Sequence, residues 1–290
     1  MPEFKATSSD IGVRADIFIA KQYPSHSRSA LEGLFSGHKV TAGGQPVKPS
    51  HKIIDGEALK VDDELITAEP EAIDLPVIYE DENVLVINKP AGVLTHSKGA
   101  LNTEGTVASF IRPKVDKSLV GNWAGIVHRL DRPTSGVIIT AKNRAAQSWL
   151  QKQFSTRKTK KTYLAVIEGQ PKLNQAIIDA PIARNSKKPQ TFCVNPEGKP
   201  AQTEYRVIKL FQAAGKTYSL VELKPLTGRT HQIRVHLAYI GHPVAGDAVY
   251  GRQGEHLLLH AAKLELTLPG GVRQVFSAPE PDYFSEFIKS

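Results

Sequence analysis

Two runs rich in β-branched, aromatic and aliphatic residues, Thr203 to Leu210 and Tyr218 to Leu223, stand on either side of a turn at Ala214-Gly215. Runs of this length joined so tightly predict a hairpin, and with it a substantially antiparallel sheet. From Ile73 onward, strand and helix signals alternate without the regular βαβ rhythm of a parallel fold. Val84-Leu85-Val86-Ile87 reads as a buried strand that ends in the turn Asn88-Lys89-Pro90-Ala91-Gly92, and Tyr163 to Ile167 reads as a further strand. Asn143 can cap a helix in which Ala145, Ala146, Trp149, Leu150, Gln153 and Phe154 recur at helical spacing. The expected fold class is therefore α+β, mixed, with a largely antiparallel sheet.

The chain is expected to divide in four. Residues 1–10 are polar and read as a flexible tail. Residues 11–61 read as a small module of short helices and strands. Ser27-Arg28-Ser29 offers an N-cap, Ala30, Leu31, Leu34 and Phe35 follow at helical spacing, and Gly37 sits where a helix would end. Lys39 to Lys48 reads as a hairpin around Gly43-Gly44, and Ile53 to Val61 as a second strand pair around Asp55-Gly56. Residues 62–73 hold five acids and a proline and read as a linker. Residues 74–290 form the main domain, in which the polar, turn-rich stretch 96–123 is expected to be a mobile loop.

Within that domain the stretch Gly125 to Gly136 sets Asp131 among His128, Arg129 and Arg132 and ends in turn formers. Ile126-Val127 leads in and Val137-Ile138-Ile139 leads out, which reads as strand, turn, strand with the polar residues at the bend. Flanking guanidinium groups favour an ionised carboxylate, suited to act as nucleophile or base. Taken alone, the same residues also fit a surface ion pair at a turn.

A second distinctive stretch runs from Leu226 to Leu237. Thr230 is expected to cap a helix that buries Ile233, Leu237 and Ile240, ends at Gly241 and carries Arg234 near its first turn. His231 and His236 lie about 140° apart around such a helix, a poor arrangement for one metal ion. No HExxH or cysteine pair occurs, so no metal site is expected. Cys193 is the only cysteine and reads as a small structural residue outside any disulfide framework. The chain also lacks a GxxxxGK[ST] loop, a GxGxxG turn and a GxSxG elbow, which removes the ATP, dinucleotide and hydrolase readings.

Charge points to the partner. Thirty-seven Lys and Arg against 29 Asp and Glu leave a formal +8, which suits a polyanion such as nucleic acid. Arg157-Lys158-Thr159-Lys160-Lys161 is a solvated loop or a phosphate contact, and Tyr163 close behind favours the phosphate contact. No run approaches the roughly 18 apolar residues that span a bilayer, and Met1 to Lys5 shows no apolar leader. The expectation is a cytoplasmic protein without a membrane partner.

The ordered motifs carry a resemblance. His128-Arg129-Leu130-Asp131 with Thr134-Ser135-Gly136 resembles the catalytic motif of the RluA-type pseudouridine synthases. Asn88-Lys89-Pro90-Ala91-Gly92, Thr162-Tyr163-Leu164-Ala165, Gly228 to His236, Gly246-Asp247-Ala248-Val249-Tyr250-Gly251 and Leu259-His260-Ala261 match that family in order, over about residues 74–285. Residues 11–61 resemble the alpha-L RNA-binding module, the type first seen in ribosomal small-subunit protein four, through Ser27-Arg28-Ser29, Gly37-His38-Lys39-Val40 and Val47-Lys48-Pro49-Ser50, and depart from it at Ala15 and Gly43.

The resemblance implies a small N-terminal α/β RNA-binding module before an isomerase domain that turns uridine of structured RNA into pseudouridine, without a cofactor. Asp131 would attack the target uridine. Tyr163 would stack on the base and help remove the proton at carbon five, and Arg234 would pair with Asp131. Arg129 would enter the space left by the flipped nucleotide. Arg229 would contact phosphate or the pocket, and His128, Arg157, Lys158, Lys160, Lys161, Arg28 and Lys39 complete the expected RNA surface. Ribosomal RNA is the first expected partner and transfer RNA the second, for an enzyme acting as a monomer. The alternatives are a catalytically idle RNA-binding or ribosome-assembly protein, or a nucleic-acid glycosylase that uses Asp131 alone.

Overall fold

The expected hairpin forms, and it anchors the main sheet. In the computed structural model, which describes all residues except 25, 29, 69, 98–102, 120–122 and 290 and the side chains of 65 and 67, Ala213 pairs with Lys216 across Ala214 and Gly215. Both turn residues have positive φ, 47° and 72°, the two-residue geometry whose twist matches that of antiparallel strands. Ser29, Glu69 and parts of the expected 96–123 loop lie outside the described residues.

Contacts divide the chain into two units. The first holds Met1–Asp74 with His96–Pro113 and Leu119–Ala124. Its strands β1 (Glu3–Lys5), β2 (Val40–Ala42), β3 (Gln45–Pro46) and β4 (Ala58–Val61) form a sheet in the order β1-β4-β2-β3. Helices α1 (Ala15–Gln22) and α2 (Glu32–Ser36) supply Phe18, Ile19, Leu34 and Phe35 to a core shared with Val40, Ile53, Leu59 and Val61. The β2–β3 hairpin matches expectation. The strand pair expected over 53–61 does not form: β4 pairs instead with β1 and β2. The expected tail over 1–10 is thereby corrected, because Glu3 to Lys5 satisfy their backbone groups along Ala58 to Lys60. The expected linker 62–73 begins with a helical turn, α3 (Glu64–Thr67), whose Ile66 is buried in the same core. The stretch 96–123 holds α4 (Val107–Ile111) rather than loop alone. Thr106 caps it by accepting the Ser109 amide at 3.0 Å, while the Ser109 hydroxyl accepts the Thr106 amide at 2.8 Å.

The second unit holds Leu75–Thr95, Lys114–Ser118 and Gly125–Ser290. Its strands are β5 (Val77–Glu80), β6 (Val84–Lys89), β7 (Ser135–Ala141), β8 (Lys160–Glu168), β9 (Gln175–Asp179), β10 (Ile182–Arg184), β11 (Phe192–Val194), β12 (Gln202–Ala213), β13 (Lys216–Pro225), β14 (Leu259–Thr267) and β15 (Arg273–Ser277). Nine form one sheet in the order β5-β6-β7-β14-β8-β13-β12-β9, with β15 on β14, while β10 and β11 pair separately. All its ladders are antiparallel except that between β7 and β14. This agrees with the mixed, largely antiparallel α+β expectation.

Three helices complete the unit: α5 (Arg144–Ser155), α6 (Gln232–Tyr239) and α7 (Asp282–Lys289). Asn143 caps α5 by accepting the Ala146 amide at 2.9 Å, and Ala146 and Leu150 enter the core with Val84, Val86 and Ile139. The cap of α6 differs from expectation by one residue: His231, not Thr230, holds that position, in left-handed backbone at φ 56°. Ile126 and Val127 do not form a strand. Ile126 makes one bridge to Thr140, and the lead-in to Asp131 is an extended loop. Among the described residues, no helix is long and apolar enough to cross a membrane.

Candidate active site

The loop that carries Asp131 is fixed from below by the Asn88 to Gly92 motif. Lys89 is completely buried, and its Nζ donates to the carbonyls of Pro90 and Val93, both at 2.8 Å, and of Arg132 at 3.2 Å. An ammonium with three donors meets three acceptors, the arrangement that makes a buried charge tolerable. Burial still pushes its pKa down to about 7, with the Asp131 charge opposing and Arg132 adding to the shift. The Gly92 amide donates to the Arg132 carbonyl at 2.8 Å, and Arg132 Nε returns a bond to the Gly92 carbonyl at 2.9 Å. The Thr95 hydroxyl donates to the Leu130 carbonyl at 3.0 Å. Thus the backbone on both sides of Asp131 is tied to residues some 35 to 43 positions away.

On the far side the loop runs into β7 at its one parallel contact, where Ser135 and Gly136 lie opposite His260 and Ala261. Ser135 Oγ and His260 Nδ1 are 2.9 Å apart in a buried pair. Gly136 has φ +116°, and a Cβ there would collide with the Ala261 backbone. Two motifs distant in sequence therefore meet as one structural joint.

Above the joint is a cavity of about 530 Å³ lined by His128, Arg129 and Asp131, by Phe154 of α5 and Arg157 just after it, by Lys161 and Tyr163 of β8, and by residues 225 to 234. Strand alternation puts Lys161 and Tyr163 on one face. Lys161 Nζ donates to the Thr227 carbonyl at 3.1 Å, and burial pushes its pKa down to about 8. The Tyr163 phenol is pushed up by burial and then by the Asp131 charge, so it enters as a neutral hydroxyl. Gln232 braces the 226–231 segment, accepting from the Thr227 hydroxyl at 2.6 Å and the Arg229 amide at 3.0 Å.

Arg234 is the buried cation of the site. Its Nε and Nη2 each donate to an Asp247 oxygen at 2.7 Å, and its Nη1 reaches Asp131 Oδ2 at 3.4 Å. Burial works against the guanidinium charge, yet the Asp247 bond and the two carboxylate charges raise its pKa overall. Asp247 Oδ1 also accepts the amides of Val249 and Tyr250 at 2.9 and 3.1 Å. Burial pushes the Asp247 carboxyl up, but Arg234 and these amides pull it further down. The guanidinium carbon stands 5.1 Å from the Tyr250 ring centre.

The structure brings Asp131, Tyr163, Arg234, His128, Arg129, Arg229, Arg157 and Lys161 to one cavity. His128, expected as an RNA contact, is a wall residue. Its Nε2 accepts the Ile139 amide at 3.0 Å, its ring stacks on Phe154 at 4.5 Å, and burial pushes its pKa down to about 3. Arg229 Nε donates to the Pro200 carbonyl at 3.1 Å. Lys158 and Lys160 do not line the cavity; Lys160 lies 3.4 Å from Glu265. Arg28 and Lys39 belong to the first unit, 3.3 Å from Asp16 and 2.6 Å from Asp62 respectively. Among the described residues no group of three or more His, Cys, Asp or Glu is placed to hold a metal ion. His236 is tied to Thr203 and the Ala180 carbonyl, each at 2.9 Å.

The sequence reading gave no role to Lys89, Asp247 or His231. Asp247 has a local signal, an aspartate accepting the amides two and three residues on, but its partner Arg234 is visible only in three dimensions. Together the residues offer a carboxylate with one oxygen held by a fixed arginine, beside an aromatic ring and in a cavity with basic walls. That equipment suits attack on a planar, anionic-backboned substrate drawn out of a stack.

Residues 83–239 match the family described as RNA pseudouridylate synthase. A protein of Aquifex aeolicus (strain VF5), described as an uncharacterized RNA pseudouridine synthase, is 38% identical over 97% of this chain and 94% of its own length. The ribosomal large subunit pseudouridine synthase D of Escherichia coli (strain K12) is 34% identical over 98% of this chain and 92% of its own. The structure of human RNA pseudouridylate synthase domain containing 1 superposes with a TM-score of 0.61 at 31% identity, covering 74% of this chain and 87% of that one.

Proposed function

The chain belongs to the RNA pseudouridylate synthase family and is an isomerase that converts uridine in RNA to pseudouridine, and on that premise we propose that it acts on large-subunit ribosomal RNA with Asp131 as the catalytic carboxylate. The observation that carries this reading is the placement of Asp131 against Arg234 in the cavity that also holds Tyr163.

The reaction conserves the composition of the nucleoside. The bond from ribose to N1 breaks, the uracil turns, a bond to carbon five forms, the proton at carbon five leaves and N1 gains one. Asp131 attacks the extruded uridine and promotes release of the base. Tyr163 stacks on the uracil, and its neutral hydroxyl relays the proton from carbon five. Arg234 holds Asp131 from one side. Arg129, exposed at the cavity rim, fills the gap that the flipped nucleotide leaves; extrusion costs a few kcal/mol, offset by stacking and basic contacts. Arg157, Lys161 and Arg229 take the flanking phosphates, with Lys158 and Lys160 further along the backbone.

The first unit acts as the alpha-L RNA-binding module, with Arg28 and Lys39 on its RNA face. Two short helices over a four-stranded sheet support that reading. The enzyme works in the cytoplasm as a monomer. Relatives described as ribosomal large subunit pseudouridine synthase D support ribosomal RNA over transfer RNA as the substrate.

The test is a map of pseudouridines in total RNA with and without the gene. Loss of one or more large-subunit ribosomal sites, restored by a plasmid copy, is expected. Loss confined to transfer RNA would overturn the substrate, and an unchanged map would overturn the assignment.

A further inference from the structure

The two ring nitrogens of His231 face different partners. Nδ1 lies 2.8 Å from the Tyr250 hydroxyl, which also accepts the Phe192 amide at 2.9 Å. With that amide already on the phenol oxygen, the favoured direction of the phenolic proton is toward Nδ1, an arrangement in which Nδ1 accepts. The neutral ring must then carry its own proton on Nε2. That nitrogen stands 3.9 Å from Asp131 Oδ2.

The environment supports this tautomer. Burial lowers the His231 pKa; the Asp131 and Asp247 charges oppose the shift, and those of Arg234 and Arg129 add to it. Burial likewise raises the Tyr250 phenol, which keeps its proton. The rings of Phe192 and Tyr250 meet the imidazole edge-on, each at 5.6 Å, and fix its plane. The left-handed backbone at φ 56° turns the residue away from the course of α6, and histidine is among the few residue types enriched there.

Arg234 Nη1 reaches the same oxygen, Oδ2, at 3.4 Å. Two donors thus converge on one carboxylate oxygen, while Oδ1 has no hydrogen bond among the described residues. We propose that His231 is a positioning residue for Asp131: Tyr250 holds it with Nε2–H turned to Oδ2, it closes on that oxygen when substrate fills the cavity, and Oδ1 is left to attack. The inference rests on Asp131 being the catalytic carboxylate. His231 gives a hydrogen bond and transfers no proton. The present gap is longer than a hydrogen bond, and contacts of this kind tighten in the substrate complex.

Three variants of the full chain test it by tritium release from an unmodified large-subunit ribosomal RNA transcript labelled at carbon five of uridine. His231→Asn keeps a residue that accepts left-handed backbone and a polar atom where Nδ1 was, but loses the donor toward Asp131. Its kcat is expected to fall about 10- to 100-fold with KM within about twofold. His231→Gln places an amide nitrogen near the lost Nε2 and is expected to recover to within about fivefold of the unaltered enzyme.

Glutamine is strained in left-handed backbone, so Tyr250→Phe supplies an independent arm. Without the phenolic proton the neutral ring can protonate at either nitrogen, and the imidazolium restores Nε2–H. Because burial lowers the His231 pKa, the imidazolium forms below the ordinary imidazole value, and the activity of Tyr250→Phe relative to the unaltered enzyme is expected to rise as pH falls from about 6.5 to about 5. The titratable and charged groups facing the ring are Asp131 and Arg129 on the preceding loop, Arg234 on its own helix, and Asp247 and Tyr250 beyond it. Of these side-chain classes, imidazole alone ordinarily titrates in that window.

Full activity in His231→Asn overturns the proposal. So does a flat Tyr250→Phe ratio, or equal losses in both His231 variants where His231→Gln folds. An Asp131→Asn control separates the two readings: if it stays active the catalytic assignment fails, and if it is inactive while His231→Asn is unaffected, the role of His231 alone fails.

Discussion

Arg234 is held more closely by Asp247 than by Asp131. Two guanidinium nitrogens lie 2.7 Å from the Asp247 oxygens, and a third stands 3.4 Å from Asp131 Oδ2. The sequence resemblance implies only the pair with Asp131. The buried Asp247 carboxylate instead fixes the arginine bidentately, so the charge beside Asp131 stays in place while the Asp131 carboxylate is only partly engaged.

Replacing Asp247 by Asn strands a buried guanidinium. The loss of one partner of such a pair costs about 3 to 5 kcal/mol, to be read from urea unfolding. The lowered Asp247 pKa sets the pH dependence. The unfolded carboxyl binds a proton at higher pH than the folded one, so this stabilisation is complete above the ordinary carboxylate range and is lost as pH falls through the folded value. Asp247→Asn should be less stable at neutral pH and should lose that part of the acid-side decline.

Lys161 sets a second pH dependence, in binding. Its pKa, pushed down by burial to about 8, means that the ammonium is present below that pH and lost above it. A phosphate contact favours the charged form, so RNA affinity should fall as pH rises through about 8, with proton uptake on binding. Lys161→Met should abolish that trend and reduce the slope of log affinity against log salt by about 0.7, as measured by titration at several salt concentrations.

Gly136 is required by geometry. At φ +116° with the Ala261 backbone against it, an added methyl group forces β7 and β14 apart at the base of the Asp131 loop. Gly136→Ala is expected to destabilise the fold by more than about 2 kcal/mol, seen as a lower thermal midpoint, with pseudouridine formation falling even where the protein stays folded.

Much of this architecture is legible in sequence because it depends on neighbours. The Ala214-Gly215 turn and the Asn143 cap act within four residues, and both form as read. Errors arise where a local signal competes with a distant partner. Glu3 to Lys5 look too polar for a strand, yet β4 offers them a free edge. Ile126-Val127 has strand composition, but Ile126 makes one isolated bridge, to Thr140, and the chain runs on as a loop to Leu130 and Arg132, where Thr95 and Lys89 hold it. The site divides in the same way. Asp131, Tyr163 and Arg234 stand in recognisable motifs, whereas Lys89 reads as a turn lysine, His231 as one histidine among ten, and Asp247 as a turn residue. Their roles come from pairings among loops and α6 that no local pattern encodes.

The most direct test of the central claim uses purified Asp131→Asn with the unmodified large-subunit ribosomal RNA transcript under single-turnover conditions. If Asp131 is the catalytic carboxylate, RNA affinity should stay within about threefold while the rate of pseudouridine formation drops by at least about 10³-fold. Undiminished pseudouridine formation by the bound variant would contradict it.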